Sequence, residues 1–103
     1  MRWSLLVGLI GCGGSEEPDR VAEILALDGD AIAGADVYDA ECAACHGLNG
    51  EGGVGPPLAS VARLAPEDIV RSVIEGVGSG MPAFDRLPDQ DVADVLVYIT
   101  ESF

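Results

Sequence analysis

Cys42-Ala43-Ala44-Cys45-His46 narrows what this chain can fold into more than any other segment. Two thiols three residues apart on one turn of helix face the same way, and the imidazole that follows falls beneath whatever planar group they hold. C-x-x-C-H is the attachment pattern of a c-type haem. The thiols add across two vinyl groups as thioethers, and the histidine takes an axial position on the iron. Rival readings of a Cys-x-x-Cys pair fare worse. A structural zinc needs four ligands, and beyond this pair the chain offers one histidine and one cysteine, Cys12. A thioredoxin-like pair sits beside a strand–helix–strand pattern, which is absent here, and a plain disulfide leaves the adjacent histidine unexplained.

An iron held this way takes its second axial ligand from elsewhere in the chain. His46 is the only histidine, and Met81 is the only methionine besides Met1. Met81 lies in Gly78-Ser79-Gly80-Met81-Pro82-Ala83-Phe84, where glycines let the backbone approach a ring closely and Pro82 stiffens the thioether's position. A single methionine is commonly core filler. This one sits in a loop and not on an apolar helical face, so His46 and Met81 are the expected metal ligands.

Apolar periodicity predicts helices around this site and no strands. Val21 to Leu27 is helix-compatible but ends within about two turns at Asp28-Gly29-Asp30. From Ile32 to Cys45, Val37, Tyr38, Cys42 and Cys45 recur at helical spacing, predicting one helix that ends at His46-Gly47. Leu48 to Pro57 holds Gly50, Gly52, Gly53, Gly55, Pro56 and Pro57, and must be a loop wrapped on something. Pro66 opens a helix with Ile69, Val70, Val73 and Ile74 on its apolar face and Gly76 as its stop. Gly78 to Leu87 reads as irregular, and Pro88-Asp89 begins a last helix that repeats Val92, Val95, Leu96 and Ile99 up to Phe103. The expected fold class is all-α, with three main helices and glycine- and proline-rich loops. A core this small is marginal by apolar burial alone, and a haem would enlarge it.

The N-terminus reads as targeting. Met1-Arg2, an apolar run from Trp3 to Ile10, and Gly11-Cys12 describe a secretory signal, too short to span a membrane as a helix. Leu9-Ile10-Gly11-Cys12 resembles the bacterial lipobox, which implies lipidation at Cys12, cleavage before it, and an anchored extracytoplasmic (periplasmic-side) domain. Gly13, where an aspartate would resemble an inner-membrane retention signal, points to the outer membrane. The expected organisation is a signal over residues 1–11, a lipidated terminus and acidic spacer over 12–30, and a haem domain over 31–103. Eighteen acidic residues against five arginines and no lysine give a formal charge of -13. Such a surface repels nucleic acid and selects redox partners with a basic docking face.

With these motifs in order, the chain resembles the small monohaem class I cytochromes c, from about Ile32 to Ile99. The resemblance implies that Gly34 and Tyr38 on the first helix cross Val95 and Tyr98 on the last. It also implies that the Pro56 carbonyl accepts the Nδ1 proton of His46, a bond that orients the ring and raises its basicity toward iron, and that Leu58 packs on the haem face. Pro56 and Leu58 therefore join Cys42, Cys45, His46 and Met81 as cofactor-binding residues. Mitochondrial members dock through lysines, which this chain lacks, so its docking surface works differently. Arg63, Arg71 and Arg86 are candidate partners for the haem propionates.

One covalent haem c with both axial positions filled by protein leaves no face open to substrate. The implied function is electron transfer, not catalysis, with no small-molecule substrate. Two alternatives belong to other classes: a gas-binding or peroxidatic site, if Met81 does not stay on iron, and a dedicated electron-input subunit of a membrane oxidase or reductase.

Overall fold

The computed structural model describes residues 19–103. The signal, Cys12 and the spacer up to Pro18 lie outside the described residues. Among the described residues six helices follow one another: α1 Arg20–Leu25, α2 Ala31–Glu41, α3 Ala43–His46, α4 Leu58–Val61, α5 Pro66–Glu75 and α6 Asp89–Ser102. Among the described residues there is no strand, only an isolated antiparallel bridge between Val77 and Met81. No helix there is long and apolar enough to cross a membrane. The all-α expectation holds.

Local chemistry explains where each helix begins. Asp19 and Asp30 accept from the amides of Val21 and Ile32 and so cap α1 and α2. Helices α5 and α6 are preceded instead by Ala65 and Pro88, which offer no side-chain cap. Acidic residues fill both first turns, Glu67 and Asp68 in one and Asp89 and Asp91 in the other, where the helix dipole favours negative charge.

The core is built on α6. Helix α2 crosses it at Gly34, where a methyl group would collide with the Asp94 carbonyl and the Tyr98 side chain. That close crossing gathers Tyr38, Ala43, Leu58, Val95 and Ile99 into one buried cluster. On the other side of α6, Val92 and Ala93 pack with Val70, Val73 and Ile74 of α5 and with Val21 and Ile24 of α1.

Three features differ from the sequence expectation. Residues 20–30 are expected in the spacer, yet Val21 and Ile24 are buried in the core. Arg20 also ties α1 to the start of α6 and the segment before it, donating to Asp89 at 2.7 Å and to the carbonyls of Asp85 and Leu87 at 2.9 and 2.7 Å. Two buried side chains and one arginine suffice to fold so short a helix onto a partner, and neither shows as periodicity. The second difference is in the helix expected to run unbroken to Cys45, which breaks at Cys42 (φ -114, ψ -30) before one separate turn, α3. The third is α4, a single turn that follows the Pro56-Pro57 pair and carries the buried Leu58.

Candidate haem site

The break at Cys42 positions the attachment motif. The amide of Cys42 still bonds the Tyr38 carbonyl at 2.8 Å, while its own carbonyl accepts from Cys45 and His46 at 3.2 and 3.0 Å. Cys42, Cys45 and His46 thus share one turn that is free of the axis of α2. The glycine loop straps this turn down: Gly55 donates to the Cys45 carbonyl and Gly52 to the His46 carbonyl, each at 2.8 Å. Tyr38 fastens its far end, its hydroxyl donating to the Gly47 carbonyl at 2.6 Å.

The loop also orients the imidazole. His46 Nδ1 lies 2.8 Å from the Pro56 carbonyl. A carbonyl can only accept, so Nδ1 carries the proton and Nε2 is left as the lone-pair nitrogen, the one a metal can take. Gly55 makes this approach possible, because a Cβ there would stand 2.6 Å from the His46 ring.

Cys42, Cys45 and His46 open onto a cleft of about 550 Å³. Buried Leu58, Ile69, Val73 and Ile99 line it together with the more exposed Val54, Pro56, Val77, Met81 and Phe84. Every residue expected at the cofactor therefore borders one cavity, including Pro56, Leu58 and Met81. Met81 is half-buried. Its backbone closes the bridge to Val77, with N···O distances of 2.9 and 3.1 Å, so the loop that reads as irregular holds Met81 in a short hairpin. The amide of Phe84, bonded to the Val73 carbonyl at 2.8 Å, returns the chain to α5.

Both thiols are free and half-buried. Burial, with Glu41 and Cys45 adding, pushes the Cys42 thiol up to about 11, so it stays protonated at neutral pH. Two unpaired thiols, a lone-pair nitrogen and apolar walls of cofactor dimensions fit a covalently attached haem. Of the three candidate arginines, Arg63 is exposed, Arg71 pairs with Glu75 at 3.5 Å and Arg86 with Glu41 at 2.7 Å. Residue periodicity gives no sign of this Glu41–Arg86 pair or of the Tyr38–Gly47 bond, since each joins residues that only the fold brings together.

The fold and this site define a small single-haem c-type cytochrome domain. Comparison with known proteins agrees. The family described as "Cytochrome C oxidase, cbb3-type, subunit III" matches residues 29–99, and the chain belongs to that family of c-type cytochrome domains. It is 40% identical over 80 residues to a cytochrome c-553-like protein of Synechocystis sp., covering 77% of this chain and 75% of that one. A cbb3-type cytochrome c oxidase subunit CcoP of Azospirillum sp. is 35% identical over 103 residues, covering 82% of this chain and 35% of the subunit. Among solved structures, cytochrome c6 of the diatom Phaeodactylum tricornutum superposes with a TM-score of 0.62 at 32% identity, over 72% of this chain and 94% of the other. Membership carries one covalent haem c and the role of an electron carrier, not an enzyme.

Proposed function

We propose that the chain is a membrane-tethered carrier of single electrons, with haem c bound through Cys42 and Cys45 and its iron held between His46 and Met81. The observation that carries this reading is the 2.8 Å contact from His46 Nδ1 to the Pro56 carbonyl, which leaves Nε2 available to a metal. Met81 supports it as the one methionine bordering the same cleft. The bound haem supplies one reversible electron at its iron, at a potential that thioether ligation raises relative to two histidines. The protein's part would be to hold the iron through His46 and Met81 and to exclude water with Leu58, Ile69 and Ile99.

Met81→Ala tests the ligand set. It is expected to abolish the sulfur-to-iron charge-transfer band, lower the potential and allow the reduced protein to bind carbon monoxide, where wild type does not. A charge-transfer band that survived would assign the ligand to another group, and carbon monoxide binding by wild type would favour the gas-binding reading.

The tether is read from Cys12 and an acidic linker before Asp19, on the extracytoplasmic side and by Gly13 at the outer membrane. Cys12→Ser is expected to release the protein from salt-washed membranes with its haem spectrum intact. Equal retention would remove lipidation from the reading. The charge of -13 supports a partner with a basic docking face. A second reading, a dedicated electron-input domain of a membrane oxidase, is favoured by the likeness to the Azospirillum subunit. Co-purification with an oxidase from detergent-solubilised membranes separates it from a free carrier.

A further inference from the structure

Glu41 is the last residue of α2 and directly precedes Cys42, and its side chain borders the cleft. Its partner Arg86 lies in the segment that leads from Met81 to α6, two residues beyond the cleft residue Phe84. The guanidinium sits 2.7 Å from the Glu41 carboxylate and 5.6 Å over the ring of Phe84, itself a cleft residue. Exposure is unequal: the Glu41 side chain is 25% exposed and that of Arg86 is 61%. A carboxylate is thus held against the site, and its counter-charge reaches over from solvent.

We propose that Glu41 and Arg86 form a charge-compensated strap at the edge of the cleft, and that Arg86 raises the site's reduction potential by cancelling the Glu41 carboxylate. A lone negative charge beside an iron centre favours the oxidised, more positive state and lowers the potential. Paired at contact distance, the two charges present only a dipole, whose field falls off faster than that of a single charge. The asymmetry in exposure makes the pair directional. Without Arg86, Glu41 stays at the cleft, because the end of α2 holds it there. Without Glu41, Arg86 loses that anionic contact and extends into water, where its field is screened. Arg86 therefore acts through Glu41 and is a positioning residue for that charge, not a ligand.

The proposal rests on the cleft being the haem site, and a four-protein cycle on the holoprotein tests it. Potentials are measured by redox titration at low salt for wild type, Arg86→Gln, Glu41→Gln and the double variant, with attached haem quantified from the pyridine derivative. Arg86→Gln is expected to lower the potential, shifting the oxidised-to-reduced ratio by about threefold or more, roughly 30 mV at about 59 mV per tenfold. Glu41→Gln is expected to leave it near the wild-type value, and the double variant to return there, so that the second substitution rescues the first. Arg86→Ala serves the same cycle should the glutamine variant load poorly. A potential unmoved in Arg86→Gln with haem attached would overturn the strap alone. A double variant as low as Arg86→Gln would also overturn it, since Arg86 would then act directly on the haem, as on a propionate. Undiminished covalent haem in Cys42→Ala/Cys45→Ala would instead overturn the site itself.

Discussion

The two sides of α6 are packed by different means. On one, Val21, Ile24, Val70, Val73, Ile74, Val92 and Ala93 close an aliphatic cluster, of which only Val73 borders the cleft. On the other, Tyr38, Leu58, Val95 and Ile99 are buried, but Tyr38, Leu58 and Ile99 also border the 550 Å³ cavity. Tyr98 and Phe103 support Tyr38 from behind, with ring centroids 5.4 and 6.3 Å from its own. The first side is closed mainly by protein, meeting the cleft through Val73 and through Met81 and Phe84 packed against it, whereas the second side presents most of its buried residues to the cavity. In so small a domain, apolar burial on one side secures the helices, and the prosthetic group finishes the other.

The strongest way to break that asymmetry is to prevent attachment. Cys42→Ala/Cys45→Ala is expected to abolish covalent haem and to raise amide exchange in α2, α3 and the 47–57 loop. The amides of Val70, Val73 and Val92 should keep more of their protection. Uniform loss across both clusters, read residue by residue, would show that the aliphatic side does not stand without haem.

A smaller effect is expected from the aliphatic side. Ile24 is fully buried, and Ile24→Ala should cost about 3 kcal/mol by lost burial and the cavity left behind. Denaturant unfolding measures this. The visible spectrum of the folded holoprotein should not change, because Ile24 does not border the cleft.

The smallest effect sharpens the aromatic side. Tyr38→Phe removes one of the two donors to the Gly47 carbonyl, which keeps the Gly50 amide at 3.1 Å, and is expected to cost about 1 kcal/mol at neutral pH. Burial first, then the Cys42 thiol and nearby acidic side chains, pushes the Tyr38 hydroxyl up from 10.0 to about 12. The folded state therefore holds this proton more tightly than the unfolded chain does. Its contribution is full below pH 10 and is lost as pH rises toward about 12. Unfolding curves across that window should fall more steeply for wild type than for Tyr38→Phe; parallel curves would remove Tyr38 from the alkaline response.

Several elements are legible in the residue pattern because their cause is local. Pro66 with Ile69, Val70, Val73 and Ile74 reads directly as α5, ended by Gly76. The spacing of Val92, Val95 and Ile99 marks α6. The motif Cys42-Ala43-Ala44-Cys45-His46 names the cofactor, since two thiols and an imidazole in that order suit haem attachment better than zinc, dithiol or disulfide chemistry. Resemblance to a known family supplies the Pro56 partner of His46 and the crossing at Gly34, and both contacts are present.

Helix type, attachment chemistry and the ligand candidates thus follow from the amino-acid order, because each depends on residues within a few positions of one another or on a residue type that occurs once. Tertiary structure decided the break at Cys42, the recruitment of α1 through Val21, Ile24 and Arg20, and the pairing of Glu41 with Arg86, 45 positions apart. These depend on which surfaces meet. Burial of a two-residue patch or cancellation of one charge by another has no periodicity to announce it, and becomes favourable only once α6 has brought the two sides of the cleft together.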